Sequence, residues 1–178
     1  MTHIAFLRAV NLGKRTVKMS RLKELVSGLG HDHVWTHVNS GNVVFDAAGS
    51  RGDLEHQLAS ALEDDLGFEV TTFVRTATEV RRTLALEPFA VASGDTYFVT
   101  FLKDTLSKPR AGALEALGND YDTLVVKGRD VHWRMRGKSI DTTVKTKAWD
   151  DIVGRHCSTS RNTTMLRKLI DKIDGAQA

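Results

Sequence analysis

The sequence predicts an α+β fold made of two similar halves, and three observations lead to it. Short β-rich runs alternate with helix-periodic stretches in the order βαββαβ, and that order recurs after about ninety residues. No Gly/Ser-rich linker interrupts the 178 residues, whose only prolines are Pro88 and Pro109.

Each element has a local reason. Residues 3–10 read as a strand, with Ile4, Phe6 and Arg8 on one face and Ala5, Leu7 and Ala9 on the other. Residues 11–17 form a polar, glycine-containing loop. Leu22, Leu25, Val26 and Leu29 then recur at helical spacing, with Ser20 as the expected N-cap and Gly30 as the stop. Residues 34–38 and 43–45 are β-rich runs around Asn39-Ser40-Gly41-Asn42, residue types that tolerate positive φ and close a hairpin. Leu54, Leu58, Leu62 and Leu66 lie four apart on a second helix ending at Gly67, and a strand at 70–75 follows. Thr76-Ala77-Thr78-Glu79 has capping-box spacing and opens a third helix, with Val80 and Leu84 inward until Pro88.

The second half repeats the order. A strand at 97–102 and a helix at 109–117 precede a hairpin, 123–127 with 131–136, about Gly128-Arg129-Asp130. A polar helical stretch at 140–153, a weak strand at 157–160 and a helix with Met165, Leu166, Leu169, Ile170 and Ile173 inward complete it. Pairing Ile4 with Tyr97, Gly41 with Gly128 and Thr76 with Thr163 gives offsets of 93, 87 and 87, one duplication and not an array. The pattern βαββαβ is that of ferredoxin-like sheets. The expected organisation is therefore two ferredoxin-like subdomains, 1–90 and 91–178, packed as one compact unit with an added C-terminal helix on each. In such a sheet the first two strands run parallel and the hairpin reverses the third. The loop at 11–18 and the turn Ser40-Gly41-Asn42 should then be neighbours.

Composition excludes more than it assigns. At 19.7 kDa a sizeable core is affordable without staples. Hydrophobic content of 41% and charged content of 26% fit a globular protein, not a disordered or fibrous one. The single Cys157 forbids an internal disulfide, and no apolar run reaches membrane-spanning length, so the expected location is the cytoplasm. The net charge of +3 is too small to indicate a nucleic-acid partner. It is unevenly placed: residues 1–90 carry 10 basic and 11 acidic side chains, and residues 91–178 carry 15 and 11.

Several strings carry a family resemblance. Phe6-Leu7-Arg8-Ala9-Val10-Asn11-Leu12-Gly13, Val17-Lys18-Met19 with Leu22, Ser40-Gly41-Asn42-Val43-Val44-Phe45 and the late Arg161-Asn162 resemble the bacterial family labelled domain of unknown function 1697, over essentially the whole chain. The resemblance implies two similar ferredoxin-like α+β subdomains and brings no established activity, substrate or cofactor. The chain departs from the family pattern at Lys14, where a second glycine often follows Gly13, and at Asn39, where glutamine is common. The tract after Lys138 is atypical as well.

The candidate ligand-binding residues are Arg8, Asn11, Gly13, Lys14, Ser40, Gly41 and Asn42, with Arg161 and Asn162. Glycine-containing turns, a helix start and nearby cations make a positive concavity suited to phosphate or carboxylate. Lys14, Arg15, Lys18, Arg21 and Lys23 form an acid-free run in the same stretch. Turn geometry alone also explains the glycine and asparagines. Arg161 beside a helix start would attract an anion, while Asn162 or Thr163 would serve as the N-cap. A second basic tract, including Lys127, Arg129, Arg134, Arg136 and Lys138, places His132, Arg134 and Arg136 on the outer face of a strand, where a solvated surface is the ordinary reading.

Other chemistries have less support. The octamer of RNA-recognition sheets wants aromatics where Val43 and Val44 stand. His31, His33 and His37 lack further ligands for a metal, and Cys157 lacks an orienting partner for nucleophilic catalysis. No Walker or GxGxxG loop is present. The expectation is a protein that uses no cofactor or metal and binds a phosphorylated small molecule or a polyanion at polar loops on one sheet edge. The alternatives are a small-substrate enzyme with a site between the halves, and a nucleic-acid or protein-binding module without catalysis.

Overall fold

A computed structural model of the chain describes residues 1–11, 16–38 and 41–177. The fold is α+β. Among the described residues there are two four-stranded antiparallel sheets and six α-helices, in two units, Met1–Val80 and Arg81–Ala178.

In the first unit β1 (Thr2–Leu7), α1 (Met19–Gly28), β2 (Asp32–His37), β3 (Asn42–Asp46), α2 (Arg51–Leu66) and β4 (Thr72–Thr76) build a sheet of order β2-β3-β1-β4. Alternation sends Ala5, Leu7, Val43, Phe45 and Val74 to one face, where they meet Leu22 and Val26 of α1 and Leu54, Leu58 and Leu62 of α2. Each such buried aliphatic contributes about 2 kcal/mol. Ile4, Phe6, Val44 and Phe73 on the opposite face are buried too.

Ser50 caps α2, its Oγ accepting from Asp53 N at 3.2 Å, and Gly67 ends it in the left-handed region at φ 72°. The capping box foreseen at Thr76 opens α3 (Ala77–Leu86), within which the first unit gives way to the second. Thr76 Oγ1 accepts from Glu79 N at 3.1 Å, and Thr76 N donates to Glu79 Oε2 at 2.8 Å.

The second unit contains β5 (Thr96–Leu102), α4 (Lys108–Glu115), β6 (Asp122–Lys127), β7 (Asp130–Met135), α5 (Thr146–Val153), β8 (Ser158–Asn162) and α6 (Thr163–Gln177). Its sheet has the order β6-β7-β5-β8, position for position that of the first. Leu102, Leu124 and Val131 pack with Leu114, Trp149 and Val153, and Trp133 stacks on Trp149 with ring centroids 5.3 Å apart. Lys127 pairs with Asp130 across the two-residue turn Gly128-Arg129, where Gly128 alone of the two has positive φ, as a type II′ turn requires. No helix among the described residues is long and apolar enough to cross a membrane.

Three local expectations are corrected. Ser20 does not cap α1, which begins at Met19 after Lys18 with no side-chain cap bond. The stretch 140–153 is no single helix but a 3₁₀ turn at Ser139–Asp141 followed by α5. Asp122 is the reason: its buried carboxylate accepts from Thr142 Oγ1 at 2.7 Å and Thr143 N at 3.2 Å, drawing the intervening chain out of helical register. Strand β1 stops at Leu7 and not at residue 10, because Ala9 and Asn11 adopt φ of 56° and 58°.

Candidate functional site

The end of β1 and the β2–β3 turn lie side by side. Leu7 N donates to Gly41 O at 2.8 Å, Phe6 pairs with Asn42, and Arg8 N donates to Thr71 O at 2.9 Å on the other flank. Gly41, at φ 70°, sits so close to the chain beyond β1 that a Cβ there would come within 2.3 Å of Val10 Cγ2 and 3.0 Å of Leu7 Cβ. Antiparallel pairing of β1 with β3 forces this approach and sets Leu7 and Val10, the residues leading into the loop at 11–18, beside Gly41.

The asparagines at this edge have structural tasks. Asn11 Oδ1 accepts from Val17 N at 2.7 Å and closes the loop ahead of α1. Asn42 is fully buried, and its Nδ2 donates to His37 O at 2.9 Å across the turn. Arg8 is half-buried, while Lys18 and Lys23 are exposed. Arg21 is committed to an ion pair with Asp65 and lies 3.4 Å from Glu24, so it adds little to the positive stretch. The Arg21 guanidinium holds the Asp65 carboxyl below the usual carboxylate range. Gly13, Lys14 and Ser40, with Leu12, Arg15 and Asn39, lie outside the described residues.

Arg161 and Asn162 belong to the second unit. Asn162 Oδ1 accepts from Thr164 N at 2.8 Å, which makes it the cap of α6. Arg161, 8% exposed, donates from Nη1 to Thr159 Oγ1 at 2.8 Å and to Ser160 O at 2.9 Å. Burial pushes its guanidinium down to about 10, which leaves it charged at neutral pH. Arg75 holds the matching place in β4: it is 2% exposed, and its Nη1 donates to the carbonyl of the preceding residue, Val74, at 3.0 Å. Sequence reading passed over Arg75, although an arginine inside Phe73-Val74-Arg75 was the available signal.

The face of β7 that carries His132 and Arg134 is not an outer, solvated one. His132 and Asp130 are buried, and Tyr97 donates its hydroxyl to His132 Nδ1 at 2.5 Å. Burial pushes the Tyr97 phenol up to about 12 and lowers His132, so a neutral imidazole accepts from an intact phenol. Arg134 lies over the Phe89 ring and donates to Ala90 O, whereas Lys127, Arg136 and Lys138 are exposed. The alternation was right and the assignment of the outer face wrong, because a strand's pattern does not say which of its faces is packed.

The family described as "Protein of unknown function (DUF1697)" matches residues 1–132. The chain belongs to the DUF1697 family. Within that span the DUF1697 chain carries Arg8, Asn11 and the Ser40-Gly41-Asn42 turn, while Arg161 and Asn162 fall beyond it. The chain is also similar to a solved structure, the conserved bacterial protein SP0830 from Streptococcus pneumoniae. The TM-score is 0.72 at 16% identity, covering 97% of this chain and 98% of that one. That likeness is one of fold. No curated protein matches the DUF1697 chain.

Proposed function

We propose that this DUF1697 chain binds an anionic or phosphorylated ligand at the sheet edge where the loop after β1 meets the β2–β3 turn, with Arg8 and Lys14 supplying positive charge. One observation carries the reading: the described residues of these two segments concentrate left-handed backbone. Ala9, Asn11 and Val38 adopt φ of 56°, 58° and 50°, beside Gly41 at 70°. Asparagine tolerates this region, but alanine and a β-branched valine do not, at a cost of about 1–2 kcal/mol each. Strain of this kind persists only where the surrounding structure holds it, and it clusters at ligand sites. The spacing of Ala9 and Asn11 about Val10, whose φ is not positive, also resembles the alternation from which anion-binding nests are made.

The two sheets' shared strand order supports the finer architectural reading too, in which each half, 1–90 and 91–178, is a ferredoxin-like unit and the pair arose by duplication. The lone Cys157 favours the cytosol as the working compartment.

The test is thermal melting and titration with inorganic phosphate, pyrophosphate and a single-stranded RNA at low and moderate salt. Binding of at least one probe is expected, weakened about tenfold or more by Arg8→Ala and unaffected by Arg136→Ala. A steep loss with salt assigns the site to a polyanion, and a shallow one to a small ligand. The reading is wrong if no probe shifts the melting temperature, or if Arg8→Ala binds as well as the parent chain.

A further inference from the structure

The second unit holds a cavity of about 330 Å3, bounded by Glu87, Phe89 and Val91 of the segment after α3, by Tyr97 of β5, and by Thr163 and Arg167 on successive turns of α6. Its volume is at the small end of the range typical of ligand pockets. The walls are fixed from several directions. Phe89 meets Tyr97 edge to face with centroids 4.9 Å apart. Tyr97 is tethered through its hydroxyl to buried His132, and its carbonyl accepts from Thr163 Oγ1 at 3.2 Å. On the Phe89 side, the Arg134 guanidinium lies 5.5 Å from the ring centroid while its Nη1 donates to Ala90 O at 2.9 Å. Two rings held in place in the wall of an otherwise polar concavity give a body with an apolar face something to rest on, with little reorganisation on binding.

The rim carries the charge. Arg167 Nη2 donates to Glu87 Oε1 at 2.8 Å, with the two side chains 49% and 64% exposed. A pair so open to solvent is worth only about 0–1 kcal/mol, so another carboxylate can take its place at small cost. Glu87 is held with φ at 35°, in the left-handed region, a strained position for the residue that occupies Arg167. Among the described lining residues Arg167 is the one cation and Glu87 the one carboxylate, and Thr163 stands at the first position of α6, its positive end. With Glu87 swung out to solvent, Arg167 is the charge left facing the cavity, and its partner of choice is an anion.

We propose that this cavity is a binding site for a small carboxylate with an aromatic or apolar body, the body resting on Phe89 and Tyr97 and the carboxylate replacing Glu87 on Arg167. Glu87 then acts as a built-in stand-in for the ligand's head group, released to solvent when the site fills. This site is separate from the loop edge of the first unit, and neither reading depends on the other.

The probe is 3-phenylpropionate, titrated by calorimetry and by chemical-shift mapping, with 3-phenylpropanamide as the neutral isostere. Saturable binding is expected, with the amide and the Arg167→Ala variant each about tenfold or more weaker. Glu87→Gln removes the internal competitor and should tighten binding severalfold, an effect opposite to general damage. Inorganic phosphate, the probe for the first site, should leave this titration unchanged. The proposal is overturned if the acid does not bind saturably, if acid and amide bind alike, if Arg167→Ala matches the parent chain, or if Glu87→Gln fails to tighten binding. Should Arg167→Ala prove unfolded by circular dichroism, the amide comparison and Glu87→Gln decide the matter.

Discussion

Gly41 meets two demands at once. Its φ of 70° requires a left-handed backbone, and the 2.3 Å approach of Val10 leaves no room for a Cβ. Gly41→Ala is therefore expected to lower stability by about 2–4 kcal/mol, read as a reduced urea midpoint at unchanged slope. The turn chemistry of this residue was visible in its sequence, but the contact with Val10 was not, since it depends on strands more than thirty residues apart. Asn11 and Asn42 teach a related lesson. Their amides satisfy backbone groups at 2.7 and 2.9 Å, so a polar residue in a loop identifies a hydrogen-bonding need without saying whether protein or ligand fills it. Arg75 and Arg161 went the other way: strongly polar side chains that fold inward, in equivalent strands of the two units.

Elements with strong local punctuation were legible before any coordinates. The leucines of α2, the stop at Gly67 and the reciprocal bonds of Thr76 with Glu79 all follow from spacing and residue type. Thr76→Ala is expected to cost about 1 kcal/mol, with the loss confined to unfolding free energy and helix content nearly kept, measurable by circular dichroism against urea. Illegible elements are those decided at a distance. The stretch 140–153 reads as one helix by pattern alone. Asp122 instead gathers Trp133 Nε1 at 2.9 Å, Thr142 Oγ1 and Thr143 N, and a single buried carboxylate with several donors outweighs a weak helical preference. Which face of β7 is packed was hidden for the same reason, because Tyr97 is 35 residues from His132.

For the whole molecule, the order β2-β3-β1-β4 and its counterpart β6-β7-β5-β8 follow from hairpins and crossovers that sequence patterns do reveal. Acid sensitivity is a property at this scale. Burial lowers both His3 and His132 below the ordinary imidazole value of 6.5. As pH falls through 6.5 the unfolded chain takes up protons before the folded one, so stability is full above that value and declines below it. The melting temperature should thus drop between about pH 7.5 and about pH 5.5, and His132→Gln should flatten part of that slope. A pH-independent melting temperature across this window would refute the burial argument.

Strand β2 runs along the border of its sheet, with β3 as its one strand neighbour there among the described residues. Its pairing with β3 slips between Asp32 and Trp35, and His33 stands there at φ 50° with its ring bonded to Asp46 Oδ2 at 3.0 Å. An extra residue at that point breaks the regular row of backbone donors and acceptors and increases the local twist. The border is then a poor template for a strand from another molecule, which protects the protein from edge-to-edge aggregation.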